Sequence, residues 1–284
     1  MPGFAKMLHG VLTAALWGAT AGAQTVPPAA PPVRPSPNLV GIAHVAIRVH
    51  DLDASVNFYK KLGFVEAFAL SRDGKVYEAF LKINDHQFLE LYPATEKDPQ
   101  AGFLHLCFEG DNLQAVHDYY VAEGLAPKDV KTAGAGNLLF TMPGPMTPAG
   151  PQNLEYTEYM PGSMHSKDFG KDLGPDRISE RMFGVTVVTN DPVAAKAFYI
   201  DKLGFHTMKL HLLLPSKQVG GEVFLEPVDP LGFKARVAFG IKSVPEAVAE
   251  LKHRGVFFKE DRGGDLLLHD PDGNELVLVG PHVE

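Results

Sequence analysis

GIAHVAIRVHDLDASVNFYKKLGF, residues 41–64, opens as an alternating apolar run, passes an acidic turn and enters an amphipathic segment that stops at Gly63. Val45, Ile47 and Val49 fall on one face of an extended chain, which predicts a strand. Asp51 turns the chain into a helix that groups Val56, Tyr59 and Leu62 on neighbouring positions, with Gly63 as a suitable residue just past its end. FGVTVVTNDPVAAKAFYIDKLGF, residues 183–205, builds the same unit again, with Asp191 standing 140 positions after Asp51. One difference is chemical: Gly184 occupies the place of His44.

A finer repeat lies inside each copy. FLHLCFEGDNLQAVHDYYVAEGL (103–125) and ARVAFGIKSVPEAVAELKHRGV (235–256) again read as strand, turn, helix and glycine stop. Four units therefore begin near residues 41, 103, 183 and 235. Short β segments fill the gaps between helices: VYEAFLKI, QFLELYP, NLLFTMP, NLEYTEY, EVFLEPV and the two arms of DLLLHDPDGNELVLV. A unit with one helix and three or four strands cannot close a core alone. Two side by side can pool their strands. The fold class expected is α+β: two tandem domains, each a pair of βαβββ units forming a curved, cup-like mixed sheet with helices outside. Domain one spans 38–162, a polar linker 163–180 and domain two 181–284.

The bulk composition is globular, with 45% hydrophobic and 21% charged residues. A net charge of −8 argues against nucleic acid as a partner. The single cysteine, Cys107, excludes a disulfide framework and any multi-cysteine metal cluster. Residues 1–23 combine an early lysine, an apolar stretch and a small-residue Ala21-Gly22-Ala23 ending, the pattern of a secretory signal. An exported protein, periplasmic or secreted, is expected, with no membrane span after cleavage. Residues 24–37 are proline-dense and read as an extended linker.

Strand phase singles out four polar residues. His44 is out of step with Val45, Ile47 and Val49, so it points into the cup rather than under the helix. The same argument sends Glu90, His105 and Glu155 inward, with Cys107 and Thr157 beside the last two. Any one histidine alone is more often a hydrogen-bonded structural residue. Two imidazoles and two carboxylates from four strands suit one divalent ion: Fe2+, Zn2+, Mn2+ or Ni2+. Glu90 is equally readable as a lining acid or general base. Glu158 shares the phase of Tyr156, which favours Glu155 as the ligand. Cys107 reads as a small buried filler, and His86 as a hairpin-turn residue. His50 and His165 are loop residues that could rim the pocket. Tyr77, Tyr92 and Phe103 could line it. Pro143–Pro151 is a flap candidate beside Glu155, or an ordinary surface loop.

The fourfold layout, the FY…LGF helix ends and the DPDGN turn resemble the vicinal oxygen chelate superfamily. Its members include glyoxalase I, fosfomycin resistance enzymes, extradiol dioxygenases and bleomycin resistance proteins. The resemblance implies metal ligation by His44, His105 and Glu155, with Glu90 at the position of a fourth ligand. It implies a metal-dependent enzyme, either a glyoxalase-like lyase or isomerase or an extradiol-type dioxygenase, acting on a small substrate with vicinal oxygens. In the glyoxalase-like case Glu155 or Glu90 would also shuttle a proton. The alternative is a metal-free binding protein of the bleomycin-resistance type. In the second half, alignment puts Glu226 at the Glu90 position, Arg236 at that of His105 and Val277 at that of Glu155, with Glu275 assigned the opposite phase. No metal is expected there; Glu226 and Arg236 are expected to pair. The full ligand set exists only inside domain one, or across a homodimer of it.

Overall fold

The computed structural model describes residues 37–208, 211–227 and 235–281. The signal sequence and nearly all of the proline-dense stretch lie outside them. In the first half the order is β1 (Leu39–Val49), α1 (Leu52–Lys61), β2 (Val65–Arg72), β3 (Lys75–Asn84), β4 (Gln87–Pro93), β5 (Gly102–Gly110), α2 (Leu113–Ala122), β6 (Lys131–Thr132), β7 (Leu138–Thr147) and β8 (Gly150–Glu158). A short helix α3 (Met164–Asp168) sits in the connection to the second half. There follow β9 (Arg181–Thr189), α4 (Pro192–Asp201), β10 (His206–Met208), β11 (His211–Leu213), β12 (Ser216–Gly220), β13 (Glu222–Pro227), β14 (Arg236–Gly240), α5 (Val244–His253), β15 (Phe258–Glu260), β16 (Leu266–His269) and β17 (Glu275–Val279).

Each half is one mixed sheet. The first runs β2-β3-β4-β1-β5-β8-β7-β6, the second β10-β11-β13-β9-β14-β17-β16-β15. In both, two units meet edge to edge through an antiparallel pair, β1 with β5 and β9 with β14. The two halves are therefore tandem domains of one architecture, as the repeat requires. β12 leaves its own half and pairs in parallel with the start of β1.

The helices start where the sequence supplies a cap. The Asp51 carboxylate accepts from the Ala54 amide at 2.9 Å, and Asp191 accepts from Val193 and Ala194 at 3.0 Å. Each cap satisfies amide donors that have no partner inside the helix. Gly63 closes α1 with φ +84°, and a Cβ there would lie 2.5 Å from the Arg177 Cα. Both the left-handed backbone and the close approach of the connecting segment exclude a side chain.

The repeated FY…LGF phrase joins the halves rather than forming the cup. Phe64 packs on Phe239 with centroids 5.4 Å apart, and Phe205 packs on Phe108 at 5.6 Å. Tyr59 donates to Asp270 at 3.2 Å and Tyr199 to Gln152 at 2.8 Å, each reaching the far end of the other half. Both tyrosines are fully buried. One hydrophobic core consequently runs through both halves, and neither half covers its helix-bearing face alone. The segment Pro143–Pro151 is part of this junction and not a flap. Met146 O accepts from the Asn190 amide at 2.9 Å and from the Thr189 hydroxyl at 3.0 Å.

Candidate metal centre

Strand register carries the four inward residues to one point. His44 on β1 lies directly across from Cys107 on β5, and Cys107 across from Glu155 on β8. Two residues further along the same face of β1, Ala46 stands opposite both Glu90 on β4 and His105 on β5. His44, Glu90, His105 and Glu155 keep only 2%, 3%, 8% and 8% of their surface exposed. The structure thus brings all four sequence-predicted ligands together in the first half.

The distances fit a shared ion. His44 Nε2 is 3.1 Å from His105 Nε2 and 3.2 Å from Glu155 Oε1; His105 Nε2 is 3.9 Å from Glu155 Oε2. Donors each about 2.1 Å from one ion lie roughly 3.0 Å apart at a right angle and roughly 3.4 Å apart at a tetrahedral angle. Two histidines and one carboxylate on one side leave the remaining positions for water or substrate oxygens. Glu90 stands on both sides of this set. Its Oε2 is 3.9 Å from His105 Nε2, while its Oε1 is 3.0 Å from the other nitrogen of His44, Nδ1. It can complete the donor set, or hold the His44 ring from behind as a carboxylate commonly does for a ligating imidazole.

Electrostatics favour a cation here. Burial lowers His44 to about 3. It lowers His105 to about 4, against the opposing charge of Glu155. Burial pushes Glu90 well up, and Glu78 and Glu155 nearby add to it. Burial also raises Glu155, opposed by His105, the Cys107 thiol and Lys131. Without a cation neither imidazolium nor carboxylate is comfortable. A divalent ion favours the neutral imidazole and the ionised carboxylate at once, which are the forms that ligate.

Residues the sequence did not single out complete the site. Glu78 on β3 accepts from the Tyr92 hydroxyl at 2.5 Å, and the same hydroxyl is 3.2 Å from Glu90 Oε2. Burial raises Glu78 as well. The signal lay in VYEAFLKI, where Glu78 and Lys82 share one strand face with Phe80. Lys82 is fully buried; its ammonium donates to Asp168 O at 2.7 Å, Asp168 Oδ2 at 2.6 Å and Lys171 O at 2.7 Å. That grip anchors α3, which carries His165. His165 is not a rim residue: it is 3% exposed, stacked on Tyr159 at 4.3 Å and edge-on to Phe68, Phe80 and Phe88. His50 pairs with Asp272 in the DPDGN turn, His86 with Glu109, and Glu158 caps α2 through the Leu113 amide at 2.8 Å. Cys107 is buried, with its sulfur inside a possible donor group with His44 and Glu155.

His44, Glu90 and Glu155 open on a cavity of about 230 Å³ lined also by Leu70, Tyr77, Phe80, Lys131, Asn137, Leu139 and His165. Phe103, also expected on the lining, packs instead against the core. A larger cleft of about 510 Å³ lies between residues 176–181 and α5. Two of its ion pairs are Arg254 with Glu250 at 2.5 Å and Lys242 with Glu180 at 2.8 Å, and it holds none of the donors.

The second cup corrects the alignment. Val49 pairs with Pro93 and Thr189 with Pro227, so Phe224, not Glu226, stands at the Glu90 register; Glu226 matches Tyr92. A Cβ on Gly184 would lie 2.6 Å from the Phe224 ring. The space taken by the His44 side chain in one half is thus filled by a phenyl ring in the other. Glu275 is two residues from Val277 and so shares its face, contrary to the opposite phase assigned from sequence. It holds Arg236 at 2.5 Å, with Glu226 at 3.5 Å from the same guanidinium. Gly184, Phe224, Arg236 and Val277 leave that cup without the first half's donor set.

Residues 41–152 match the family model described as the glyoxalase/bleomycin resistance protein/dioxygenase superfamily. That match lies within the first half, and the whole chain shares the fold of two tandem domains with the solved structures below. Among solved structures, the 2,3-dioxygenase LapB from Pseudomonas sp. KL28 matches with TM-score 0.62 and 15% identity, over 87% of this chain and 94% of that one. A Mn(II)-bound glyoxalase from Novosphingobium aromaticivorans matches with TM-score 0.62 and 16% identity, over 86% and 82%. An E323L mutant of homoprotocatechuate 2,3-dioxygenase from Brevibacterium fuscum matches with TM-score 0.63 and 19% identity, over 87% and 73%. No curated protein matches the sequence. At such identities the likeness is one of fold.

Proposed function

We propose that the first half is a divalent-metal-dependent enzyme acting on a small substrate with two adjacent oxygens. The observation that carries this is the convergence of His44 Nε2, His105 Nε2 and the Glu155 carboxylate within 3.1 to 3.9 Å of one another in a buried cup. These three residues would hold the metal, and Glu90 would join them or orient His44. A bound divalent ion supplies Lewis-acid polarisation of paired oxygens, and ferrous iron would add dioxygen chemistry. The chain supplies the rest. Burial keeps His44 and His105 neutral, hence able to ligate. The Tyr92 hydroxyl bridges Glu78 and Glu90, so a proton can be held beside the reacting oxygens and passed between carboxylates. Leu70, Phe80 and Leu139 give the cavity wall its apolar part.

Both a lyase or isomerase step and an extradiol-type ring cleavage fit this arrangement. They separate in a turnover screen of the Fe2+-, Mn2+-, Zn2+- and Ni2+-loaded chain with catechols under oxygen and with 2-oxoaldehydes. Oxygen uptake with a catechol supports the dioxygenase; conversion of a 2-oxoaldehyde adduct without oxygen supports the lyase or isomerase. A metal-loaded chain inert to both classes counts against the proposal. We also propose, from residues 1–23 alone, that the enzyme works outside the cytoplasm; a full-length chain retained in the cytosolic fraction of its host would count against this.

A further inference from the structure

We infer that the first cup carries a second, sulfur-bearing donor set, His44, Cys107 and Glu155, which takes thiophilic cations such as Co2+ and Cd2+, while the set that includes Glu90 takes hard ones such as Mn2+. The inference rests on the metal reading of this cup and names what selects the ion.

Strand alternation turns Cys107 to the same face of β5 as His105. Cys107 stands opposite His44 on β1 and opposite Glu155 on β8. Its sulfur, a His44 nitrogen and a Glu155 oxygen lie within 4.8 Å of one another, and so do donor atoms of His44, Glu90 and His105. Every member of both groups is buried. The two groups share His44. An apolar filler belongs among apolar side chains, yet this thiol has an imidazole and a carboxylate across its two flanking strands. Its contact to the Phe108 carbonyl oxygen is long, at 3.8 Å. His44 keeps one nitrogen uncommitted as well: Nδ1 lies 3.0 Å from Glu90 Oε1 but is buried without a hydrogen bond. A buried polar atom in that condition calls for a partner.

Donor softness separates the two sets. Carboxylates suit hard ions, and thiolate selects soft ones. Metal–sulfur bonds are about 2.3 Å, against about 2.1 Å for nitrogen or oxygen, which puts sulfur roughly 3.6 Å from a second donor of one tetrahedral ion. The difference from 4.8 Å is one that side-chain rotation covers. Burial, with the charges of Glu155 and Glu90 beside it, raises the Cys107 thiol well above its ordinary value, so the sulfur stays protonated beside a hard ion. A thiophilic ion displaces that proton outright: the metal–sulfur bond forms, the S–H bond breaks, and the proton leaves to solvent. Hard ions are then held by nitrogen and oxygen alone. Thiophilic ions gain one further bond and compete for the cup.

The test is absorption spectroscopy of the full chain loaded anaerobically with Co2+. Thiolate bound to Co2+ gives an intense near-ultraviolet charge-transfer band that nitrogen and oxygen donors do not give. The unaltered chain should show it, and Cys107→Ser should lose it while still holding one cobalt. By chelator competition, Cys107→Ser should bind Cd2+ at least about tenfold more weakly than the unaltered chain, a difference of about 1.4 kcal/mol, and Mn2+ within about twofold. Cys107→Ala, which buries no hydroxyl, should repeat both results. One cobalt per chain without the band overturns the sulfur set and leaves the metal reading standing, and so does an equal loss of Cd2+ and Mn2+ affinity. If both variants fail to fold, the band in the unaltered chain decides alone. A chain that takes up none of the three ions overturns the metal reading, and the sulfur set falls with it.

Discussion

Removing the two imidazoles should change how the metal-free fold responds to acid. His44 and His105 are lowered from 6.5 to about 3 and about 4 by burial. An unfolded chain protonates both below pH 6.5, whereas the folded chain does not until much lower. Stability from these groups is therefore present above pH 6.5 and lost as the pH falls towards 4 and 3. One pH unit of separation corresponds to about 1.4 kcal/mol. At pH 5 each histidine has lost about 2 kcal/mol, or about 4 kcal/mol together, relative to pH 7.5. Glu90 and Glu155 act oppositely, since burial raises their carboxyls; they stabilise the metal-free fold at low pH and lose that contribution as the pH rises. Comparing differences removes them. Urea unfolding of the chelator-treated chain at pH 7.5 and 5.0, set against His44→Gln/His105→Gln, should show the variant losing about 4 kcal/mol less between the two pH values. Equal losses would mean that the rings are not buried and uncharged, and the description of the site would be wrong.

Other substitutions probe separate parts of the account. Glu90→Gln should lower metal affinity about 10- to 100-fold while leaving stoichiometry at one, whether Glu90 joins the donors or holds the His44 ring; competition with a chromogenic chelator reads this, and unchanged affinity would leave Glu90 as a lining acid only. Lys82→Met leaves Asp168 and Asp85 without their buried cation and should cost about 3–5 kcal/mol, visible as a lower urea midpoint; loss below 1 kcal/mol would mean that α3 is held by other contacts. Gly184→Ala pushes a methyl into the Phe224 ring and should cost about 1–3 kcal/mol by overpacking, without altering metal content; a neutral change would mean that the second cup has room to spare.

The repeat and strand alternation made much of this legible. His44, His105 and Glu155 were readable because each breaks an apolar phase that its neighbours fix, and a period of two leaves one face to choose. Glu78 was missed because VYEAFLKI reads as a buried strand, and a single acid in it does not announce a partner on β4. His165 was misplaced because its burial comes from a connection, where Lys82 grips α3 from far along the chain. The second cup was misaligned by two residues because FLE in QFLELYP and in EVFLEPV look alike; the shared proline, Pro93 against Pro227, is what sets the register. The role of Tyr59 and Tyr199 was out of reach, since helix periodicity shows that a residue is buried and not against which half.

The central claim is that His44, His105 and Glu155 hold one divalent ion. Elemental analysis of the purified chain after metal loading and desalting tests it most directly, beside His44→Ala/His105→Ala. About one metal per chain in the first and less than about a tenth in the second is the expected result, given that two of three donors are gone. Equal metal in both, or none in the unaltered chain, contradicts it.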